Sequence, residues 1–397
     1  MNIPLLQCRA LDAIIGANSL FPYIAQMPKS LLGNLTAEQF LSDYWQKKPL
    51  LIRQAVSQFD WHPELADLIS LAGQDDVESR LIENKHGKWT CESGPFRPSR
   101  FKRLLPADWT VLVQNVNHHV RFAAELLYRF DFIPHVRLDD LMVSYAPAGG
   151  GVGPHFDSYD VFLLQVGGKK RWRISAQTDL RLVEDAPLKV LKHFEAEQEW
   201  VLEHGDMLYL PPKYAHEGVA LEAGQTWSIG FRAPGAQEMG GAFLDFLRDR
   251  LQLDGLYADP DLQMPVDPAR VPEDFVARIR TMLEGIRWSD TDVREFVGHY
   301  FSEPKAHVFY DSPEEEDSES AFARKLAKQG VQLDMKSVMI FDDAQFYMNG
   351  ETLGADLAAS VYLRQLANER RLPPAVYPAV LVAALYPCYQ YGYLHLG

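Results

Sequence analysis

Cysteine is nearly missing from this chain: Cys8, Cys91 and Cys388 are the only three among 397 residues. Scattered so widely, they make neither a disulfide framework nor a zinc-ligand spacing. The expected compartment is a reducing cytoplasm. Long apolar runs are missing as well. No stretch approaches the roughly 20 apolar residues that span a bilayer, and no membrane partner is expected. Basic charge is in deficit, with 39 Lys and Arg against 54 Asp and Glu and a net charge of −15. Such a surface repels nucleic acid and attracts basic partners. Direct nucleic-acid binding is therefore not expected, whereas a basic protein suits as substrate. No repeat recurs at a fixed period. The first residues lack the basic segment and continuous apolar segment of a signal peptide. Residues 1–30 read as a leader of uncertain order, with Met27-Pro28-Lys29 as an alternative start.

A chain of 397 residues is too long for one core, so two or three domains are expected. Thr36 and Gln39 make a capping box for a helix over Glu38–Gln46, stopped by Lys47-Lys48-Pro49. Leu50–Ile52 reads as a buried strand and 62–72 as a helix. Residues 78–90 read as a strand or hairpin turning at Lys85–Lys88. Trp109–Val113 is an expected strand and Val120–Phe130 an amphipathic helix with Phe122, Leu126 and Leu127 inward.

From Asp139 to Pro234 short strands alternate with turns. They are expected at Leu141–Tyr145, Gly153–Asp157, Tyr159–Val166, Lys170–Ser175, Trp200–Leu202, Met207–Leu210, Gly218–Leu221 and Thr226–Phe231, with Gly167-Gly168 as a hairpin turn. This spacing points to a double-sheet, cupin-like jelly roll. Helices are expected at Glu238–Leu251, Glu273–Glu284 and Thr291–Phe301, and the acidic run Asp311–Glu319 as a solvated linker. The last segment reads as helix Ala321–Lys328, strands Ser337–Phe341 and Gln345–Met348, an Asn349-Gly350 turn, helix Ala355–Leu366, and an apolar helix or strand near 377–389. Seven Lys and Arg stand against six Asp and Glu from 321 onward. This winged-helix-like end is therefore structural or protein-binding rather than DNA-binding.

The chemistry is concentrated in two motifs. The first is the run Gly149–Gly151 leading to His155-Phe156-Asp157. In an extended segment His155 and Asp157 point the same way, and an imidazole and a carboxylate on one face are two thirds of a facial metal triad. Alone, His-x-Asp in a strand is usually chance. The second motif, Gly205-Asp206 through Pro211-Pro212 to His216, supplies the third ligand from an adjacent strand. Such a set leaves open positions suited to Fe(II), a bidentate cosubstrate and dioxygen. Alternation in Lys170–Ile174 puts Lys170, Trp172 and Ile174 on one face. A lysine inside a barrel is costly unless it meets an anion, and the far carboxylate of 2-oxoglutarate is a natural partner. Lys169, Arg171 and Arg173 read as the solvated face. Ser144 and Ser228 are further candidates for the same carboxylate. Asp139, Asp140 and Asp160 are candidates for a cationic substrate side chain, or simple turn and strand-end residues.

These motifs resemble the JmjC-domain 2-oxoglutarate oxygenases, and among them the bacterial ribosomal oxygenases of the RoxA type. The resemblance runs over roughly residues 30–397. It is carried by Tyr44–Leu50, Asp139–Ser144, Gly149–Phe162, Gly168-x-Lys170-x-Trp172-Arg173, Gly205-Asp206 through His216-Glu217-Gly218, and Ser228–Pro234. It implies an α+β fold. A double-stranded β-helix (the JmjC barrel) over 31–235 would be followed by a helical dimerisation region over 236–305. A winged-helix-like domain over 306–397 would complete the chain. It further implies a homodimer that hydroxylates an arginine β-carbon in the sixteenth protein of the ribosomal large subunit. Iron would bind through His155, Asp157 and His216, with 2-oxoglutarate and dioxygen as cosubstrates. RoxA-type relatives can carry arginine at the place of Lys170, so one charged contact replaces a bidentate fork here. Two rival readings are a JmjC hydroxylase or demethylase acting on another side chain, and a non-catalytic cupin-like metal-binding scaffold. The glycine run is expected to leave room for a substrate peptide over the metal.

Overall fold

The computed structural model describes residues 31–56, 63–85, 87–315, 317–354 and 356–397. The expected leader, with Cys8 and Met27, lies outside the described residues. So do His62, at the start of the expected 62–72 helix, His86 of the 85–88 turn, Glu316 of the acidic run and Ala355 at the start of an expected helix. The chain divides into two compact units. The first runs to Ala233 and takes in 306–310 and 334–336, and the second comprises the remainder from Pro234.

In the first unit, helix α1 (Ala37–Asp43) carries the full Thr36/Gln39 capping box. It ends earlier than expected, because Gln46 takes a left-handed φ of 56° and turns the chain toward Pro49. Strand β1 is Leu50–Ile52 and helix α2 Leu65–Leu71. Strands β2 (Ser79–Lys85) and β3 (Lys88–Ser93) form the expected hairpin. Helix α3 (Pro98–Phe101), strand β4 (Trp109–Val113) and helix α4 (Arg121–Leu127) follow. The barrel strands are β5 (Leu138–Ala146), β6 (Val161–Val166), β7 (Lys169–Ser175), β8 (Gln198–Glu203), β9 (Met207–Leu210), β10 (Ala215–Ala220) and β11 (Gly224–Phe231).

They make an eight-stranded sheet, β1-β9-β6-β11-β5-β4-β2-β3, and a three-stranded sheet, β10-β7-β8. Strand β6 shows why its sequence is continuously apolar. Phe162, Leu164 and Val166 join the large cluster that also holds Phe40, Leu68 and Leu126 from the helices. Val161 and Leu163 belong to a second cluster with Trp172, Ile174 and Leu202 of the small sheet. Both faces are covered, so alternation with polar residues disappears.

Two expectations fail here. Gly167-Gly168, with φ of 67° and 55°, does not close a hairpin. Strand β6 pairs with β9 and β11, whereas β7 pairs with β8 and β10. The glycines turn a corner from one sheet to the other, which a local turn signal cannot distinguish from a hairpin. Gly153–Asp157 is also not a regular strand, for reasons given below.

The second unit begins with helices α5 (Ala236–Arg248), α6 (Glu273–Leu283) and α7 (Asp290–Ser302). Then come α8 (Glu319–Gln329), β12 (Val331–Leu333), β13 (Met339–Phe341), β14 (Phe346–Met348), β15 (Glu351–Leu353), α9 (Leu357–Glu369), β16 (Arg371–Leu372), α10 (Ala379–Gln390) and β17 (Leu394–Leu396). Phe322, Leu326, Leu363, Leu366, Leu381 and Leu385 share its core. The acidic run is not wholly a solvated linker. Ser318 caps α8, and Asp317 accepts from Lys325 Nζ at 2.7 Å and Tyr389 Oη at 2.8 Å. Lys325 and Tyr389 hold its carboxyl below the ordinary aspartate range.

Candidate active site

The His-x-Asp segment is laid along β10 by backbone bonds. Gly149 N donates to Ala220 O at 2.8 Å, and Ala220 N to Gly150 O at 2.9 Å. Gly151 bridges Val219, and His155 and His216 exchange bonds of 2.9 and 2.8 Å. The segment is thus an interrupted extra strand beside β10, and the interruption is why it is not regular. Glycine is required for this close approach. A Cβ on Gly150 would lie 2.2 Å from Trp109 O, and one on Gly151 would lie 2.5 Å from Gly218 O. Protein backbone fills the space that the sequence reading reserved for substrate.

The two imidazoles meet with ring centroids 4.2 Å apart. His155 Nδ1 lies 3.0 Å from Gly153 O, and His216 Nδ1 lies 2.9 Å from Tyr214 O. Each carbonyl takes an Nδ1 proton, leaving Nε2 as a bare donor for a metal. His216 Nε2 is 3.6 Å from Asp157 Oδ2. One donor atom from each of His155, Asp157 and His216 falls within 4.8 Å of the others, and no further His, Cys, Asp or Glu joins the group among the described residues. His216 is pushed down to about 4, first by burial and then by the neighbouring His155. It is neutral near pH 7, the form a metal needs. Lys213, with φ of 64° after Pro211-Pro212, donates its N–H to Asp157 O at 2.6 Å. The proline pair therefore braces the carboxylate segment. Two imidazoles and one carboxylate at the edge of an open cavity fit a facial Fe(II) site and do not complete a structural zinc site.

The cavity measures about 510 Å³ and reaches from the triad to Lys170. Lys170 is 7% exposed. Its Nζ donates to Thr226 Oγ1 at 3.0 Å and stands 4.8 Å over the Trp172 ring. Burial pushes it down to about 8. No carboxylate pairs with it among the described residues. A buried cation balanced by one hydroxyl and an indole face fits a cavity meant to receive an anion. Ser144 and Ser228 line the same cavity, and Ser144 Oγ donates to Thr226 O at 3.3 Å. Thr226 was missed by sequence reasoning. Its signal was available, since it shares a face of β11 with Ser228 and sits in register with Ser144.

The three acidic candidates separate. Asp160 is fully buried and accepts from Tyr209 Oη at 2.6 Å and Gln46 Nε2 at 2.9 Å, with Arg137 Nη2 at 3.4 Å. It ties the turn after α1 to the barrel and is not on the cavity wall. Asp139 stands 3.9 Å from Arg232 Nε. Asp140 alone of the three lines the cavity, with Tyr159, Arg80 and Gln114, all three also missed. The Tyr159 phenol is pushed above the ordinary tyrosine range by burial, then by Asp157, Asp140 and Asp139. Arg80 opposes them, so this part of the wall carries charges of both signs.

A double-stranded β-helix carrying a His/Asp/His cluster and a buried lysine on the wall of the same cavity is the arrangement of the JmjC class. The JmjC domain family matches residues 125–239, and the ROXA-like winged helix matches residues 285–395. The chain is 34% identical to the ribosomal protein uL16 3-hydroxylase of Escherichia coli over 79% of its own length and 84% of the relative's. It is 38% identical to a probable ribosomal oxygenase of Haemophilus influenzae over 58% of this chain and 56% of that one. The X-ray structure of E. coli YcfD superposes with a TM-score of 0.80 at 30% identity, covering 92% of this chain and 99% of that one. YcfD has also been solved with cobalt and 2-oxoglutarate, with a TM-score of 0.78 over 91% of this chain and 98% of that one. The chain belongs to the JmjC-domain ribosomal oxygenases.

Proposed function

We propose that this protein is an Fe(II)- and 2-oxoglutarate-dependent oxygenase that hydroxylates an arginine β-carbon of ribosomal protein uL16. The observation that carries the reading is one cavity containing the triad at one point and the buried cation Lys170 at another. His155, His216 and Asp157 would hold the metal. When bound, iron supplies dioxygen activation coupled to conversion of 2-oxoglutarate to succinate and CO2, with insertion of one oxygen atom into an unactivated C–H bond. Lys170 holds the far carboxylate of the cosubstrate, with the Thr226 and Ser144 hydroxyls beside it and Ser228 on the same wall. Leu163, Val161 and Trp172 keep water from the reacting centre. Asp140 and Tyr159 receive the cationic substrate side chain, which suits arginine.

The assignment of 31–235 to the catalytic barrel, 236–305 to a dimerisation region and 306–397 to a winged-helix-like domain belongs to the same proposal. Helices α5–α7 and the segment between α6 and α7 expose Leu244, Leu283, Trp288 and Val293, an apolar surface that a second copy would cover. A basic ribosomal protein suits the −15 net charge, and the compartment proposed is the cytoplasm, where that substrate is met.

The test is mass spectrometry of recombinant uL16 incubated with iron-loaded enzyme, 2-oxoglutarate and air. The expected product gains one oxygen on one arginine, and His155→Ala abolishes the gain while circular dichroism is unchanged. A gain on histidine, or none on uL16 despite 2-oxoglutarate turnover, refutes the substrate assignment. Full activity of His155→Ala refutes the triad.

A further inference from the structure

Between Lys85 and Arg103 six Lys and Arg stand against one Glu, in a chain whose net charge is −15. None of the six belongs to the metal triad or to the cavity wall. The hairpin ladder explains why. Ile82 and its register partner Cys91 line the cavity, so the pairs Glu83–Thr90 and Lys85–Lys88 face the other way. Helix α3 is tied to that outer face by Arg100, whose Nη2 lies 2.9 Å from Glu83 Oε2 and 2.6 Å from Glu92 Oε1. Lys85 Nζ also lies 3.2 Å from the Glu83 carboxylate. Both carboxylates are thereby used by Arg100 and Lys85. Lys88, Arg97, Lys102 and Arg103 are exposed and have no counter-charge among the described residues. Arg100 N donates to Arg97 O at 2.9 Å, and Arg103 N to Arg100 O at 3.2 Å. Bonds of this span set Arg97, Arg100 and Arg103 along one edge at intervals of roughly 6 Å.

We infer that this outer face of the β2–β3 hairpin and α3 binds the phosphate backbone of RNA. Four exposed cations without partners repel one another, and a row of anions relieves that repulsion. Guanidinium forks match phosphate oxygens in pairs, and cations spaced along an edge suit a charged backbone better than a single carboxylate. A protein partner fits this face poorly. The core of a protein interface is apolar and aromatic, whereas no large apolar side chain from Lys85 to Arg103 is exposed among the described residues. The same absence argues against a membrane surface, where apolar side chains must insert. The acidity of the whole chain does not prevent contact here, because salt screens exposed charges beyond about 10 Å at 0.1 M. The expectation drawn from net charge therefore does not extend to this face. The choice of RNA over DNA rests on the ribosomal substrate proposed above.

The test is fluorescence anisotropy of the full-length protein with a labelled single-stranded RNA of about 20 nucleotides, longer than the usual site sizes. Binding with a micromolar Kd is expected at about 50 mM salt. Four phosphate contacts on a single strand require log K to fall with log salt at a slope of about −3. The variant Lys88→Gln, Arg97→Gln, Lys102→Gln, Arg103→Gln is expected to bind at least about tenfold more weakly and with a slope near zero. Its melting temperature and its turnover of 2-oxoglutarate should stay at the wild-type values, since no cavity residue is changed. No binding at about 50 mM salt, or equal affinity in the fourfold variant, overturns the inference. So does equal or tighter binding of polyglutamate or of phosphatidylserine vesicles. Tighter binding of duplex DNA of the same sequence overturns the choice of RNA. The measurement uses no uL16, so its failure leaves the uL16 reading standing, and failure of uL16 to be hydroxylated leaves the phosphate-binding face standing.

Discussion

Lys170 is the residue whose environment says most about the chemistry. Its ammonium is buried, and no carboxylate pairs with it among the described residues, so burial has moved it down to about 8. Below that value it is cationic and attracts a carboxylate, and above it the attraction fades. The KM for 2-oxoglutarate is therefore expected to rise as pH climbs through 8 toward 10, which a pH profile of turnover measures. In Lys170→Arg the rise should vanish, because a guanidinium stays charged. The same shift has a stability sign. The folded pKa lies below the unfolded one, so the folded protein binds fewer protons between about 8 and the ordinary lysine value of 10.5, and stability rises with pH across that window. Lys170→Met should accordingly raise the melting temperature below pH 8 by a few degrees while increasing the KM for 2-oxoglutarate roughly 10-fold or more. A fall in melting temperature together with an unchanged KM would remove Lys170 from the cosubstrate site. The lysine's face was readable from alternation in Lys170–Ile174, because a strand's period of two holds wherever the strand lies. Thr226, Arg80 and Gln114 were not recognised, because they reach the cavity from strands, or a strand end, far apart in sequence.

At the scale of elements, the glycine run and β10 decide whether a metal site exists. The segment is seated by backbone bonds and by contacts with no room for a Cβ. Gly150→Ala would bring its methyl to 2.2 Å from Trp109 O. Because the obstacle is backbone and not a flexible side chain, relief requires moving the segment that carries His155. The expected result is a lower melting temperature and an iron affinity reduced at least about tenfold, read by metal titration. Retained iron affinity with lowered stability would separate the seating of the segment from the geometry of the triad. Gly230→Ala is a contrasting change. Its Cβ would sit at ordinary contact distance from Asp140, so the fold should be undisturbed while the uL16 KM rises several-fold. The barrel strands β6, β7 and β9 and helices α6 and α7 were legible from local pattern. The hairpin assigned to Gly167-Gly168 was not correct. Two left-handed glycines specify a sharp turn, but which sheet the next strand joins depends on partners such as β8 and β10.

For the whole molecule, the proposed assembly turns on the helical segment after the barrel. Leu283 and Trp288 are 57% and 58% exposed, and both belong to the apolar surface proposed above for a second copy. Leu283→Glu combined with Trp288→Glu is expected to convert a dimer to a monomer, measured by light scattering. A wild-type monomer would count against the proposed dimer.

The amino-acid order alone determined the chemistry of this protein. His155, Asp157, His216 and Lys170, with glycine and proline punctuation around them, are of types and spacings that local rules can place on strands and turns. Only the tertiary structure decided which acid faces the cavity. Asp139, Asp140 and Asp160 look alike in the chain. Asp160 is claimed by Tyr209, Gln46 and Arg137, while Asp140 meets Gln114 at the cavity wall. A carboxylate's role depends on its hydrogen-bond partners, and here those partners come from strands and helices that only the folded chain brings together.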